Sequence, residues 1–470
     1  MAGLYLHIPF CKQACSYCDF YFVTRQDRIP AFVDGLIREI RQAGEIHQAL
    51  VVQEKGHVHE TNGHVHETKG QVHENGEIHQ AQESLQTVRT IYLGGGTPSL
   101  LSIGQLEQIF RALDDTFDLQ PEEVTIEMNP DDADLSRLRA WKDLGINRVS
   151  MGIQSFDDGL LQAMHRVQTR REALDALNLL EKSGFERFTA DLIYGNPGQT
   201  IAMLDADLRQ MLAFSPPHIS AYALMVEQGT RLGKQVELGR VTVPDDEQVA
   251  THFRHVQERL GEAGYLQYEV SNFALPGCEA LHNTNYWRHV DYLGFGPSAH
   301  SFLWPRGDGR ALQSSDFLAQ STLAPPDRAK YDSHASNTSA VNSAAITDLA
   351  TTAPNTPKQN VAIRWQNIRD LRAYLEAVKP ADRIESQEWL GLPELAEERI
   401  TLGLRMQEGV DGRQLKEQYG YTFGERQLDW ISLQSSLGTF AWDPDKERLR
   451  LTQEGLSLAD HLTAKLLSLH

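Results

Sequence analysis

A repeated alternation constrains this chain more than any other feature. Short β-prone runs, each closing on glycine or a polar residue, are followed by amphipathic stretches over roughly the first 220 residues. LYLHI at 4–8 predicts a strand, and the following VDGLIREI sets Val33, Leu36, Ile37 and Ile40 on one helical face. TIYLGGGTP reads as a strand running into a glycine turn; VTIEMNP, RVSMGIQS, RFTADLIYG and HISAYALMV read as further strands. Between them IGQLEQIFRALDDTF, LSRLRAWKDLG closed by Gly145, DDGLLQAMHRV, REALDALNLLEKSG and IAMLDADLRQMLAF read as helices. Six strand–helix units in succession predict an α/β fold, with a parallel sheet and right-handed crossovers curled into a full or partial β/α barrel.

Two segments break the pattern. Residues 44–83 carry a degenerate short repeat (GHVHETN, GHVHETK, GQVHENG) and seven of the 18 histidines. The repeat is too short and polar for a solenoid unit, so a solvated insertion is expected; its HVH pairs also leave weak metal buffering open. Residues 306–360 are rich in Ser, Ala, Thr, Asn and Pro without periodicity, as in a flexible insertion. The expected divisions are a barrel over 1–230, a barrel extension over 231–305, the 306–360 insertion, and a smaller C-terminal α+β domain over 361–470. That last part is expected to have a helix near 363–378 and a winged-helix-like hairpin at TFAWDPDKERLRLT.

Lys and Arg total 44 against 64 Asp and Glu, a net charge of −20. Phosphate neutralisation needs the opposite sign, so nucleic acid is not an expected partner. No apolar run reaches the ~18–20 residues of a membrane span, and the first residues do not have the pattern of a secretory leader. Four cysteines do not make a disulfide scaffold in so long a chain. A cytoplasmic location is the expectation, where thiols stay reduced.

Three of the four cysteines are Cys11, Cys15 and Cys18, a C-x3-C-x2-C run in the loop after the first strand. A structural zinc site would normally draw a fourth Cys or His nearby, and position 20 is Phe20. Three thiolates suit a [4Fe–4S] cluster with one open iron. Downstream, Gly94-Gly95-Gly96-Thr97-Pro98 ends the second strand, Glu127 the third, Gln154 the fourth and Asp191 the fifth, and Ala223 lies in the sixth. Barrel active sites sit at the C-terminal ends of the strands, so these residues are expected around one mouth. Taken singly, the glycines also fit a plain turn and each carboxylate a solvated surface group. Cys278 reads as a small buried hydrophobe.

The cysteine spacing after a first strand resembles the radical S-adenosylmethionine (SAM) superfamily. The resemblance implies that the open iron chelates the amino and carboxylate groups of SAM, and that the reduced cluster splits the sulfonium bond to a 5′-deoxyadenosyl radical. It also implies a partial (β/α)6 barrel. LYLHIPFCKQACSYCDF, YLGGGTPSLL, IEMNPDD, RVSMGIQSF, ADLIYGNPGQT and ISAYALMVEQGT together resemble the oxygen-independent coproporphyrinogen III oxidase family. Carried over by motif, Tyr5, Tyr17, Gly95, Gly96, Thr97, Glu127, Gln154, Arg166, Asp191 and Ala223 are the expected SAM contacts. Arg166 also fits an exposed charge at a helix end.

Within that family the oxidases resemble C-x3-C-x2-C-x-C behind an N-terminal extension. Here Phe20 stands at the last cysteine, and only three residues precede Leu4. His282-Asn283-Thr284-Asn285-Tyr286-Trp287 resembles the H-N-x-x-Y-W signature of the HemW-type haem chaperones. That resemblance implies haem binding, with His282 offering an imidazole and Tyr286 and Trp287 flat faces; His7, His289 and His300 are further axial candidates. A lone histidine beside aromatics equally fits a hydrogen-bonded structural role. The expected function is haem chaperoning on a radical SAM scaffold, with delivery to a membrane haemoprotein by peripheral contact with the inner membrane face. The alternative is radical decarboxylation of coproporphyrinogen III. A homodimer is left open.

Overall fold

The computed structural model describes residues 2–56, 87–304 and 360–470. Six parallel strands, β1 (Ala2–Ile8), β2 (Thr87–Gly95), β3 (Asp118–Met128), β4 (Arg148–Gln154), β5 (Arg187–Tyr194) and β6 (His218–Ala223), lie side by side in chain order. The helices beside them are α1 (Ile29–Gly56), α2 (Ile103–Thr116), α3 (Leu135–Asp143), α4 (Asp158–Ala163), α5 (Arg170–Ser183) and α6 (Ile201–Leu212).

Local chemistry fixes these elements. Ser102 and Gln105 form a reciprocal capping box on α2, and Thr169 and Glu172 another on α5, which ends at Gly184 in the left-handed region. Along β1 the side chains alternate: Leu4, Leu6 and Ile8 are fully buried in the core, leaving Tyr5 and His7 for the other face. α2 presents Leu106, Ile109, Ala112 and Leu113 to the same core.

The chain continues through α7 (Arg231–Glu237), α8 (Asp246–Glu262), β7 (Leu266–Glu269), β8 (Asn272–Ala274), α9 (Leu281–Trp287), β9 (Tyr292–Phe295) and β10 (His300–Leu303). Then come β11 (Asn360–Asn367), α10 (Leu371–Glu376), β12 (Ile384–Gly391) and α11 (Leu392–Leu404). One twelve-stranded sheet results, in the order β12-β11-β10-β9-β1-β2-β3-β4-β5-β6-β8-β7. Chain-order neighbours step in one direction, as in a barrel. The ring does not close, because β1 has β9 as its outer neighbour and β6 has β8. The partial barrel is therefore the observed form.

α9 carries the chain from the β8 edge to the β9 edge and lies against the N-terminal ends of the strands. Glu123 on β3 accepts hydrogen bonds from the backbone amides of Leu281 (3.0 Å) and His282 (2.9 Å). A Cβ on Gly3 at the start of β1 would press on the His282 ring.

Three boundaries differ from expectation. α1 runs past position 44 to Gly56, so the segment 44–83 begins as helix; its repeats, and the segment 306–360 up to the start of β11, lie outside the described residues. The helix expected near 363–378 is a strand followed by the short α10. Val361, Ile363 and Trp365 favour a pleat, and Ile363 pairs across to both Leu303 and Trp389. Residues 360–391 thus extend the main sheet. The winged-helix-like unit comprises α11, β13 (Val410–Asp411), α12 (Gly412–Tyr419), α13 (Glu425–Ser436), β14 (Phe440–Asp443), β15 (Arg448–Leu451), α14 (Gln453–Leu456) and α15 (Ala459–Leu467), with strand order β13-β15-β14. The hairpin in TFAWDPDKERLRLT is β14–β15.

Candidate functional site: the barrel mouth and the cysteine loop

A cavity of ≈ 630 Å³ runs from the cysteine loop down the inside of the barrel to α9. Cys11, Cys15 and Cys18 line it, together with Tyr17, Gly95, Gly96, Thr97, Glu127, Gln154, Arg166, Asp191 and Ala223. Nine of the ten expected SAM contacts therefore meet the three cysteines at one mouth. Tyr5 does not join them. Its side chain lines a second cavity, because β1 sits at the border between the two.

The cysteine loop is held at both ends and in its middle. The Cys11 amide donates to Val23 O at 3.0 Å and the Ser16 amide to Met164 O at 3.0 Å; Leu232 N donates to Ser16 O at 2.7 Å. Tyr17 packs beside Leu160, Leu161, Met164 and Ile193. Lys12 forms ion pairs with Asp131 (2.7 Å) and Asp132 just after β3. The fit of an iron–sulfur cluster rests on the donor set. The three thiols are unpaired with one another, half-buried, and face one cavity. Among the described residues no three His, Cys, Asp or Glu side chains surround a single ion. A cubane sets each thiolate on a separate iron, so it does not need that arrangement. Burial pushes the Cys11 and Cys18 thiols up to about 11, and neighbouring cysteines add to the effect.

Arg166 is not the exposed helix-end charge that its sequence context also allowed. Its guanidinium donates to Asn129 Oδ1 (2.7 Å), Gly152 O (2.8 Å) and Gln168 Oε1 (3.0 Å), and Nη1 lies 3.6 Å from Cys15 Sγ. Asn129 Nδ2 donates to Thr97 Oγ1 at 3.2 Å, and Thr97 lies 3.7 Å from Cys11 Sγ. This relay ties the ends of β2, β3 and β4 to two of the three cysteines. Gly95 has φ +104°, and a Cβ there would strike the His7 ring. A Cβ on Gly96 would strike the Ile8 and Phe10 backbone. Gln154 is a non-glycine residue at φ 68°, a conformation that concentrates at functional sites.

Two carboxyls lie deep in the cavity. Glu127 accepts from Tyr92 Oη (2.7 Å) and the Gly95 amide (3.1 Å); burial nevertheless pushes it above the usual carboxylate range. Asp191 is pushed up to about 7 by burial and by the neighbouring Glu127. Such a pair suits a cationic ligand. Sequence reasoning missed Asn129, Gln168 and Arg148. Asn129 directly follows a strand end and was readable on that ground. Arg148 starts β4, donates to Thr189 Oγ1 at 3.0 Å and reaches Glu123 at 3.5 Å near the floor, which only the fold reveals.

The 282–287 motif is divided among different environments. Asn283 lines the barrel cavity and Tyr286 the second cavity. His282 lines neither: it is buried, with Nδ1 2.9 Å from Thr90 Oγ1, Nε2 2.7 Å from Tyr286 Oη, and its ring stacked on Tyr92. Both ring nitrogens thus have partners, and the axial role expected of it would require one of these contacts to give way. Trp287 also faces neither cavity; the Arg405 guanidinium lies over its ring at 5.3 Å. Cys278 is half-buried rather than buried.

The radical SAM superfamily signature matches residues 5–211. A haem chaperone HemW from Lactococcus lactis is 29% identical over 469 residues, covering 98% of this chain and 96% of that one. HemW from Synechocystis is 38% identical over 314 residues, covering 65% of this chain and 67% of its own length. HemW from Escherichia coli is 32% identical, covering 67% of this chain and 73% of its own. Among solved structures, coproporphyrinogen III oxidase from Escherichia coli superposes with TM-score 0.68 at 19% identity, covering 99% of this chain and 89% of that one. That likeness concerns the fold alone. No described helix is long and apolar enough to cross a membrane.

Proposed function

Because this chain belongs to the HemW family of radical SAM proteins, we propose that it is a haem chaperone whose scaffold holds a [4Fe–4S] cluster and SAM and which passes haem to a membrane haemoprotein. Cys11, Cys15 and Cys18 would hold the cluster. When bound, the cluster supplies an open iron that chelates SAM and an electron that SAM can accept.

The chain's own residues prepare that site. Arg166, through Asn129 and Thr97, orients two of the cysteines. Glu127 and Asp191 set negative charge where a sulfonium and an ammonium can lie. Tyr17 and the apolar side chains packed beside it exclude water from one side of the cysteine loop. The observation that carries this reading is the convergence of the three thiols with Glu127, Gln154, Arg166 and Asp191 on one cavity.

Phe20, 68% exposed, stands where the oxidases resembled by the sequence carry a further cysteine. It lines both cavities, and the absence of that cysteine favours a binding role over porphyrinogen turnover. Anaerobically reconstituted protein is expected to bind about one haem per chain and to release it to an apo-haemoprotein. With coproporphyrinogen III, SAM and reductant it is expected to yield no protoporphyrinogen IX, and steady formation of that product would overturn the reading.

A further inference from the structure

The second cavity, ≈ 740 Å³, falls within the roughly 300–1,000 Å³ of cofactor-sized sites. Its floor is one face of four adjacent strands. Period-two alternation brings Tyr5 and His7 of β1, Tyr292 of β9, His300 and Phe302 of β10, and Arg364 and Gln366 of β11 to that face. Tyr286 of α9 forms part of the opposite wall, and Phe20 and Arg369 stand at one end.

Haem is a flat apolar disc with iron at its centre and two carboxylates along one edge. A site for it needs a slot lined with rings, an imidazole with a free nitrogen, and a cation. We propose that this second cavity is the haem seat, with His300 as axial ligand to the iron and Arg369 facing the propionates. This rests on the haem-chaperone reading above and assigns a site to it.

Of the three histidines that line the cavity, accessibility singles out His300. His7 is engaged at both nitrogens, by Tyr5 Oη (3.1 Å) and Tyr21 O (3.0 Å). His289 also lines the cavity, and its Nδ1 has no hydrogen-bond partner among the described residues while Nε2 lies 3.2 Å from Glu398, but its ring is buried against Phe302 and Tyr419 and is less accessible than that of His300. His282 is outside the cavity, as described. His300 is exposed at the rim; burial of part of its ring and the nearby Arg364 lower its proton affinity, which keeps the imidazole neutral for a metal.

Charge sorts the two cavities. Glu127 and Asp191 in the barrel would repel propionates. In the second cavity the carboxylate of Glu398 is matched by Arg364 at 2.6 Å, and Asp19 is exposed at the edge. Arg369 donates from Nη2 to the Asp19 carbonyl at 3.1 Å, and among the described residues no carboxylate is within ion-pair distance of its guanidinium. It is therefore available to a propionate.

The test is anaerobic haem titration of the full-length, cluster-loaded protein and its His300→Ala and Arg369→Glu variants, followed by absorption and resonance Raman spectra. Both residues are exposed, so both variants should fold; cluster iron content and SAM affinity report on that separately. His300→Ala is expected to lose the imidazole-ligated signature, and Arg369→Glu to keep it while affinity falls about tenfold or more. An unchanged spectrum and affinity in His300→Ala would overturn the site while leaving the chaperone reading intact. A wild-type protein that takes up no haem would overturn both.

Discussion

His282 and Tyr286 form a buried pair, with Nε2 of the first 2.7 Å from the hydroxyl of the second and Thr90 holding the other ring nitrogen at 2.9 Å. The pair fixes the one residue of the 282–287 motif whose ring faces the second cavity. His282→Ala therefore leaves a void under Tyr92 and takes a hydrogen-bond partner from the Thr90 and Tyr286 hydroxyls, a loss of about 2–4 kcal/mol in folding stability. Haem affinity is expected to fall because Tyr286 shifts, while the absorption maximum of whatever haem is bound stays in place. A displaced maximum would make His282 a ligand.

Asp191 links ligand binding to pH. Its folded-state value is raised, from 3.8 to about 7, so the stability associated with its protonated form is present below pH ~4 and lost as pH rises through 7. Asp191→Asn is expected to raise the unfolding free energy at pH 8 by on the order of a few kcal/mol relative to wild type, and the melting temperature with it, and to change little near pH 4. A cationic ligand needs the ionised form, so SAM affinity of the wild type should rise between pH 6 and 8 and that of the variant should be weaker and flat. Calorimetry at three pH values checks both.

Arg166 acts through a fork. It donates to Asn129 and to the Gly152 carbonyl from one nitrogen, to Gln168 from another, and approaches Cys15 from a third. Lysine keeps the charge but has no fork to divide. Arg166→Lys should reduce cluster retention on dilution, read as iron and sulfide per chain, with little change in the circular dichroism of the fold. Full retention would remove the relay from the argument.

Glu39 on α1 fastens the added strands to the barrel. It accepts from Tyr374 Oη (2.6 Å), the Gly296 amide (2.8 Å) and Asn367 Nδ2 (2.6 Å), all buried. Glu39→Ala removes three hydrogen bonds, orphaning the Tyr374 hydroxyl and the Gly296 amide while Asn367 Nδ2 keeps the Gly296 carbonyl at 2.9 Å, and should cost on the order of 3 kcal/mol or more. Because β9–β11 form the floor of the second cavity, haem uptake should fall with it. Thermal unfolding and haem titration on one preparation measure the two losses together.

Much of this was legible in the chain because it depends on local spacing. The six β1–β6 segments, their helices and the cysteine loop follow from periodicity, capping residues and glycine stops, each acting over a few residues. The mouth was legible too, because strand ends in a β/α barrel share one rim by construction; Glu127, Gln154 and Asp191 needed no contact map.

What the sequence by itself determined, then, was the repeat that builds the barrel and the trio of thiols at its rim. Only the tertiary structure decided that Tyr5 faces a different cavity from Glu127, and that residues 360–391 join the main sheet. It alone decided that His282 spends both nitrogens on Thr90 and Tyr286 while His300 keeps an exposed ring. The physical reason is that a side chain's availability depends on partners far along the chain, 192 positions away for Thr90 and His282, and spacing carries no record of which long-range neighbours will satisfy it.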